Sequence, residues 1–415
     1  MANVPSETAV AANSANVARL LRLSVVLLTP LSLGNFSPEI INPQLASLQQ
    51  LLTLGLWLAV IALSYLAPTR GRLVAGTDTY FAVAFYCIAI GSIGWSNYSA
   101  ESYGKAAALL ITTFAAYRLT RLLTITEIID SVMIGLFCVA VASLLVVVVA
   151  PDIGVVHTWM HDGLWSGVFE SKQSLGISAA LLVFLALQRF SLQRSYFPLI
   201  AGLTGALCVF GSGSRGAFVV AGAAATCSWL VQRSSRFMTL MTMVPLLIAG
   251  IATCLIVYML ESPVPYFDVF GTDVDFTERS FIWHYALSRL PEHPFLGFGL
   301  NGFWTDEFTL ADFTRQHGWV LDNYHSGFVT ILMETGVIGY GAFVLCYFFN
   351  ALRLVNPHPG ALLANQERAL VLSLTSLIFL IDLTETYFLR STNVVATLLA
   401  MMLFAAGSVR TDTAR

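Results

Sequence analysis

Residues 322–350 read DNYHSGFVTILMETGVIGYGAFVLCYFFN. Asp322, Asn323, Tyr324 and His325 open the stretch with polar groups. The apolar run that follows is long enough to enter a bilayer, whose core takes about 20 residues of helix. A histidine at the mouth of such a segment raises two questions: how many such segments the chain has, and which side of the membrane this mouth faces.

Composition answers the first in outline. The 415 residues are 57% hydrophobic and 11% charged, with a mean hydropathy of +0.75, where a water-soluble domain carries about 25% charged residues. The expected class is an all-α polytopic membrane protein. A barrel would show short alternating segments instead. A net charge of −3 argues against a nucleic-acid partner. The cysteines all fall in apolar runs without CxxC spacing and read as small core residues. No cleavable signal peptide is evident, so the first span is expected to serve as its own targeting signal.

Twelve spans are expected, over 17–33, 44–66, 76–95, 104–122, 128–150, 173–188, 196–212, 215–232, 237–260, 326–350, 368–388 and 391–409. They form one transmembrane domain over 17–410. A disordered cytoplasmic tail (1–16) precedes it and a short one (411–415) follows. The large outer loop, 261–325, lies between the ninth and tenth spans. Its aromatic and glycine content predicts a folded segment with short helices rather than a disordered one. With the N-terminus inside, 14 of the 21 basic residues lie on the inner side and every inner loop carries Arg. The outer side holds Lys105, Lys172, Arg215, Arg279, Arg289, Arg315 and Arg390. That bias predicts cytoplasmic termini and an outward-facing His325.

Outer cations are few, so each invites a reason. Arg215, in GSGSRGAF, is either an arginine reaching the interface from a glycine turn or part of an anion site. In the second reading, backbone N–H groups, the Ser212 and Ser214 hydroxyls and a following helix N-terminus would converge on a phosphate. Arg279 follows DFTE, a helix start with Asp275 or Thr277 as cap, and the helix should stop before Pro291. An arginine in a first turn opposes the macrodipole, so it pairs either with Glu278 or another acid, or with a ligand anion. Lys172, in GVFESKQSLG, sits where a loop enters a span, either reaching the interface or adding to the outer cations. His325 is either structural or a base near neutral pH, oriented by Asp322 and Tyr324. Glu334 lies about 13 Å deeper on the same helix at about 1.5 Å per residue and reads as a hydrogen-bonded packing residue facing the protein interior. Asp382 and Glu385, one helical turn apart, could bind sugar hydroxyls or cap the bundle.

HExxH, Walker and Rossmann signatures are absent, as is an acidic loop pair that asks for a divalent metal. His157 and His161 have helical metal spacing but no evident third ligand. Neither metal nor cofactor is expected.

GSGSRGA (211–217), ERSFIWHYAL (278–287) with HPFLGFGLNGF (293–303), and NYHSGFVTILMETGVIG (323–339) resemble signature stretches of the O-antigen ligase and polymerase superfamily, over roughly residues 165–345. GVFESKQSLG is similar to the family's lysine-bearing loop. The resemblance implies a twelve-helix glycosyltransferase of the bacterial inner membrane, with its active site periplasmic. Its donor is a glycan on undecaprenyl diphosphate, and its acceptor is a growing glycan or the lipid A core. It implies His325 as catalytic residue, and Arg215, Arg279 and, less directly, Lys172 as diphosphate contacts. Asp322, Tyr324, Glu334, Asp382 and Glu385 remain candidates for support or acceptor binding.

The chemistry agrees with these residue types. A lipid diphosphate leaves readily, so no carboxylic acid is needed to protonate it, unlike the paired carboxylates of glycosidases. Cations on the diphosphate and a base for the acceptor hydroxyl suffice. A single displacement would invert the anomeric centre. The spacing in LGFGLNGFW, and the tryptophan-bearing stretch before DNYHSG, look more like the exopolysaccharide polymerases than the ligases. A transporter is a more distant alternative, since transporters gather polar groups at the midplane and here they gather at the outer face.

The topology is checked by thiol labelling. A cysteine placed at Asp306 should react with an impermeant reagent added to intact cells, and one placed at Arg70 should not. The reverse pattern would put His325 on the cytoplasmic side.

Overall fold

The structure is a computed structural model describing residues 7–33, 36–37, 40, 43–96, 99–158, 161–233, 235–262, 267–269, 272–274, 279–318, 320–321, 323–357 and 359–410. In chain order its helices are α1 (Glu7–Leu31), α2 (Pro43–Ser64), α3 (Thr77–Gly91), α4 (Ser99–Leu122), α5 (Ile125–Val149), α6 (Pro151–Gly154), α7 (Lys172–Gln193) and α8 (Tyr196–Ser212). They continue with α9 (Arg215–Arg233), α10 (Ser235–Glu261), α11 (Arg279–Arg289), α12 (Glu307–His317), α13 (Gly327–Val355), α14 (Asn365–Asp382) and α15 (Val394–Ala406). Two short antiparallel pairs complete the described fold. β1 (Gly71–Leu73) pairs with β4 (Ser408–Arg410), Arg72 opposite Val409, and β2 (Phe267–Val269) pairs with β3 (Thr272–Val274).

Backbone polar groups in hydrocarbon must be satisfied within their own segment, and a helix falls on each of the twelve apolar stretches. Six have the length and composition to cross a membrane: Ser14–Leu31, Thr77–Gly94, Ile125–Val149, Lys172–Gln193, Met243–Glu261 and Gly327–Val355. Leu48–Ser64, Tyr196–Ser212 and Val394–Ala406 are shorter apolar helices. The chain is therefore an all-α multi-pass membrane protein, with twelve crossings an expectation beyond these six. α1 starts at Glu7, inside the stretch read as a tail, because the alanine-rich sequence there lets the helix propagate toward its start. The 411–415 tail lies outside the described residues.

Packing follows the small residues. α8 turns Leu199, Leu203, Leu207 and Phe210 outward and Ala201 and Cys208 inward. Its Gly205 lies against α7, where a Cβ would come within 3.0 Å of the Ala179 carbonyl, the close helix approach that small residues permit in membranes.

One end of the bundle is built from arginines on helix C-termini, where a cation meets free carbonyls and the negative end of the dipole. Arg118 donates to the Ser64 carbonyl (2.6 Å), Arg121 to Phe404 (3.2 Å) and Arg368 to Leu354 (3.0 Å). Arg353 binds Asp78 at 2.8 Å. The β1–β4 pair lies at this end. The opposite end carries the N-termini of α7, α9 and α13 and the long segment between α10 and α13, which holds β2, β3, α11 and α12.

α13 is broken at Gly336 (φ 65°, ψ −172°), a conformation open essentially to glycine alone. An unbroken helix would bond Val337 N–H to the Met333 carbonyl and Ile338 N–H to that of Glu334. Both bonds are split, and the 294–299 stretch of the HPFLGFG motif supplies all four partners. Phe298 N–H donates to Met333 O (2.8 Å) and Gly299 N–H to Glu334 O (3.1 Å), while Val337 N–H donates to Pro294 O (2.9 Å) and Ile338 N–H to Phe295 O (3.2 Å). Only glycines allow this approach, since a Cβ on Gly297 would lie 2.5 Å from the Met333 carbonyl oxygen and one on Gly336 would lie 2.3 Å from Phe295.

The expected span 368–388 is shorter than its hydropathy suggests. α14 ends at Asp382, whose Oδ1 accepts the N–H groups of Tyr387 (2.7 Å) and Phe388 (3.1 Å) and draws the chain out of the helix. α15 begins at Val394 rather than 391, behind the cap Asn393, which accepts Val395 N–H at 2.8 Å. Residues 383–393 form an irregular connection, and Glu385 therefore is not on the helix with Asp382.

Gly336→Ala should destabilise by on the order of 1–3 kcal/mol from backbone strain alone, read as a lower thermal midpoint of the detergent-solubilised protein. Gly341→Ala, where nothing lies within 4 Å of the new Cβ, should stay within about 0.5 kcal/mol. Equal shifts for the two would overturn the account of the break.

Candidate active site

Two of the four leading candidates are the first residue of a helix, Lys172 of α7 and Arg215 of α9, and Arg279 opens the described part of α11. His325 stands two residues before α13. The structure groups them into two loci at the same end of the bundle.

The first locus joins Lys172 and Arg215. Gly176, one turn into α7, sits so close to the Ser212–Ser214 turn that a Cβ would come within 2.9 Å of Ser212 Oγ, Ser214 Cβ and Ala217 Cβ. The first turns of α7 and α9 are thus neighbours, and the two cations repel one another. Each also opposes the positive end of its own helix dipole. Arg215 is exposed, and among the described residues no ion pair engages either cation. Ser212 and Ser214 do not offer their hydroxyls outward as expected. Both are buried; Ser212 donates to the Val209 carbonyl (2.8 Å) and Ser214 accepts Ala217 N–H (3.4 Å), so they build the turn.

The second locus joins Arg279, Glu385 and His325. Arg279 Nη2 lies 2.7 Å from Glu385 Oε1, both side chains about one fifth exposed. The acid partner expected from nearby in sequence comes instead from the 383–393 connection. The cap candidates Asp275 and Thr277, and Glu278, lie outside the described residues. α11 stops at Arg289, and a single 3-10 turn carries the chain past Pro291.

His325 has φ 48°, in the left-handed region, where a non-glycine residue is uncommon. Its N–H donates to Asn323 Oδ1 at 2.8 Å, and the same oxygen lies 3.5 Å from Thr386 Oγ1. The cap of α13 is Ser326, accepting Val329 N–H at 3.4 Å, rather than the histidine. Tyr324 does not present its hydroxyl to the mouth. The ring is buried against Phe303 and Trp304, and its carbonyl accepts Trp283 Nε1–H at 2.9 Å. Burial, with the charge of Glu334 nearby, pushes the Tyr324 hydroxyl well above its usual pKa. Asp322 lies outside the described residues.

Glu334 is buried and accepts the backbone N–H of Asn301, whose side chain is held by Lys105. Asp382 is also buried, with Oδ1 on the backbone of 387–388 and Oδ2 without a partner. Of the supporting candidates only Glu385 touches one of the proposed cations through a described contact. Asn323, Trp283 and Thr386 were not singled out from the sequence. The Asn-x-His pattern was the available signal, since asparagine builds such turns through its own side chain.

His157 pairs with Asp162 (3.6 Å) on the surface, and among the described residues no cluster of three His, Cys, Asp or Glu is placed to hold a metal ion.

Beside Ser326 a narrow apolar crevice is walled by Leu255 and Met259 of α10, Trp283 and Leu287 of α11, Val329 of α13 and Leu383.

Residues 199–344 match the family described as O-Antigen ligase. That segment includes Arg215, Arg279, His325 and Glu334, and leaves Lys172, Asp382 and Glu385 outside. The chain is also 24% identical over 302 residues to the Exopolysaccharide production protein ExoQ of Rhizobium meliloti (strain 1021), an alignment spanning 69% of this chain and 66% of that protein, just short of two thirds of its length. Both matches are similarities to the group that the sequence motifs resemble, the O-antigen ligase and polymerase superfamily.

Proposed function

We propose that the protein transfers a glycan from undecaprenyl diphosphate to a sugar hydroxyl at the periplasmic face of the bacterial inner membrane, and that it joins repeat units of an exopolysaccharide or O-antigen. The observation carrying this reading is that Lys172 and Arg215 each begin a helix, and Arg279 opens the described part of α11, at the end of the bundle that bears His325. Cations at helix N-termini raise the positive potential at one place, which is favourable only beside an anion. The opposite end carries the arginines that bind helix C-termini, consistent with a cytoplasmic side.

In this mechanism His325 takes the proton of the acceptor hydroxyl. The acceptor oxygen bonds to the anomeric carbon as the bond to the diphosphate breaks, with inversion. The charge released on the lipid diphosphate is met by Lys172, Arg215 and Arg279, the last exchanging Glu385 for phosphate oxygens. The similarity to a protein named for exopolysaccharide production favours polymerisation. A ligase moving finished glycan to lipid A core is the second reading, favoured by the description of the matched family.

Arg215→Ala and Arg279→Ala should each lower transfer by about 10²–10³-fold, the usual cost of one lost transition-state donor, while the protein still inserts. Lysine at either position should restore only part, lacking the planar fork. Activity should persist in EDTA, and a Mg²⁺-reversible loss would show that the cations do not manage the diphosphate unaided. His325→Ala should block transfer and let donor accumulate, as measured by mass spectrometry of carrier-linked glycans. Single repeats identify a polymerase and long carrier-linked chains a ligase. Glycan of normal amount and length would remove His325 from the mechanism.

A further inference from the structure

His325 occupies a backbone conformation that L-residues avoid, so its neighbours must hold it there. Two contacts do so. Asn323 Oδ1 accepts the His325 N–H at 2.8 Å, closing a local turn, and the same oxygen reaches Thr386 Oγ1 at 3.5 Å. Thr386 follows Glu385, which holds Arg279 at 2.7 Å. On the other side, Trp283 Nε1–H binds the Tyr324 carbonyl at 2.9 Å. Trp283 is one helical turn beyond Arg279 on α11, so the histidine turn is tied to both elements that carry the cation and its acid.

We propose that Asn323 is a positioning residue for the transfer step. Its side-chain oxygen holds His325 in the left-handed turn and ties that turn to the Thr386–Glu385–Arg279 connection, so that base and cation keep one register. The proposal rests on the assignment of His325 as the base. An amide suits the position on two counts. It accepts the N–H as aspartate would, and it places no charge beside the imidazole. The charged groups around the turn are already Arg279, Asp382, Glu385 and Arg390, and Asp382 Oδ1 is engaged by backbone N–H groups. A carboxylate at 323 would favour the protonated imidazole and take the base out of use at neutral pH.

The test uses the full-length enzyme in lipid nanodiscs with lipid-linked donor, reading kcat, donor KM and the pH profile. Asn323→Ala should lower kcat by about 10²-fold, the scale of an ångström-sized misplacement, with donor KM unchanged. Asn323→Asp should restore the turn. Its raised imidazole pKa moves the acid limb of the profile to higher pH, so turnover is low near neutrality and recovers in alkali. His325→Ala and Arg279→Ala are measured alongside. Wild-type kcat in Asn323→Ala with an unshifted profile in Asn323→Asp, while His325→Ala is inactive, overturns the positioning role and leaves the base assignment standing. An active His325→Ala overturns the base assignment first. If Asn323→Ala does not insert, the profile of Asn323→Asp alone decides.

Discussion

Two hydrogen bonds missing from α13 organise this end of the molecule. A helix in hydrocarbon cannot leave a carbonyl or an N–H unpaired, so breaking α13 at Gly336 requires an outside backbone with the complementary groups at the right spacing. The 294–299 stretch supplies two donors and two acceptors to the separated halves. The N-terminal half of α13 is then fixed by the long insertion rather than by its own helix, and His325 leads into that half. Asn301, a few residues beyond the clamp, carries its consequences to Glu334 and Lys105. The histidine turn, the insertion and the helix of Arg279 form one packed unit.

The two cationic loci differ in electrostatic state. Arg279 has a carboxylate against it, so an arriving phosphate must compete with Glu385. Lys172 and Arg215 carry mutual repulsion and two opposing dipoles, so an arriving phosphate removes an existing cost. In the proposed reaction the unbalanced pair would capture the donor diphosphate, and Arg279 would act later, when charge develops next to the histidine turn.

Much of this was legible in the sequence for a plain reason. Backbone satisfaction forces apolar runs to be helices, so hydropathy placed a helix on all twelve stretches. Rare residue types at helix starts, marked by glycines around Arg215 and His325 and by DFTE before Arg279, point to these three residues. What could not be read depended on partners distant in the chain. Glu385 looked like the helical neighbour of Asp382 because the run stays apolar to Phe388. The backbone bonds that end α14 come from a side chain whose direction periodicity does not encode. Tyr324 looked like a partner for His325 because it is adjacent, but the left-handed turn between them sends its ring into the aromatic core. Ser212 and Ser214 looked like ligand donors because hydroxyls bind phosphate, and they bind their own turn instead. In each case the residue type was informative and its orientation was decided by tertiary structure.

The β1–β4 pair has a consequence for how the molecule is made. Gly71–Leu73, emerging after the second helix, finds its partner only in Ser408–Arg410, and α3 and α4 likewise pack on α13 and α15. The early helices must therefore be held in the membrane with open flanks throughout translation, since contacts so distant in sequence are slow to form. Closure of the arginine-rich end waits for the last strand to leave the ribosome. A chain stopped short of residue 408 would carry both cationic loci, the histidine turn and the Arg353–Asp78 pair, yet leave Gly71–Leu73 without its strand partner.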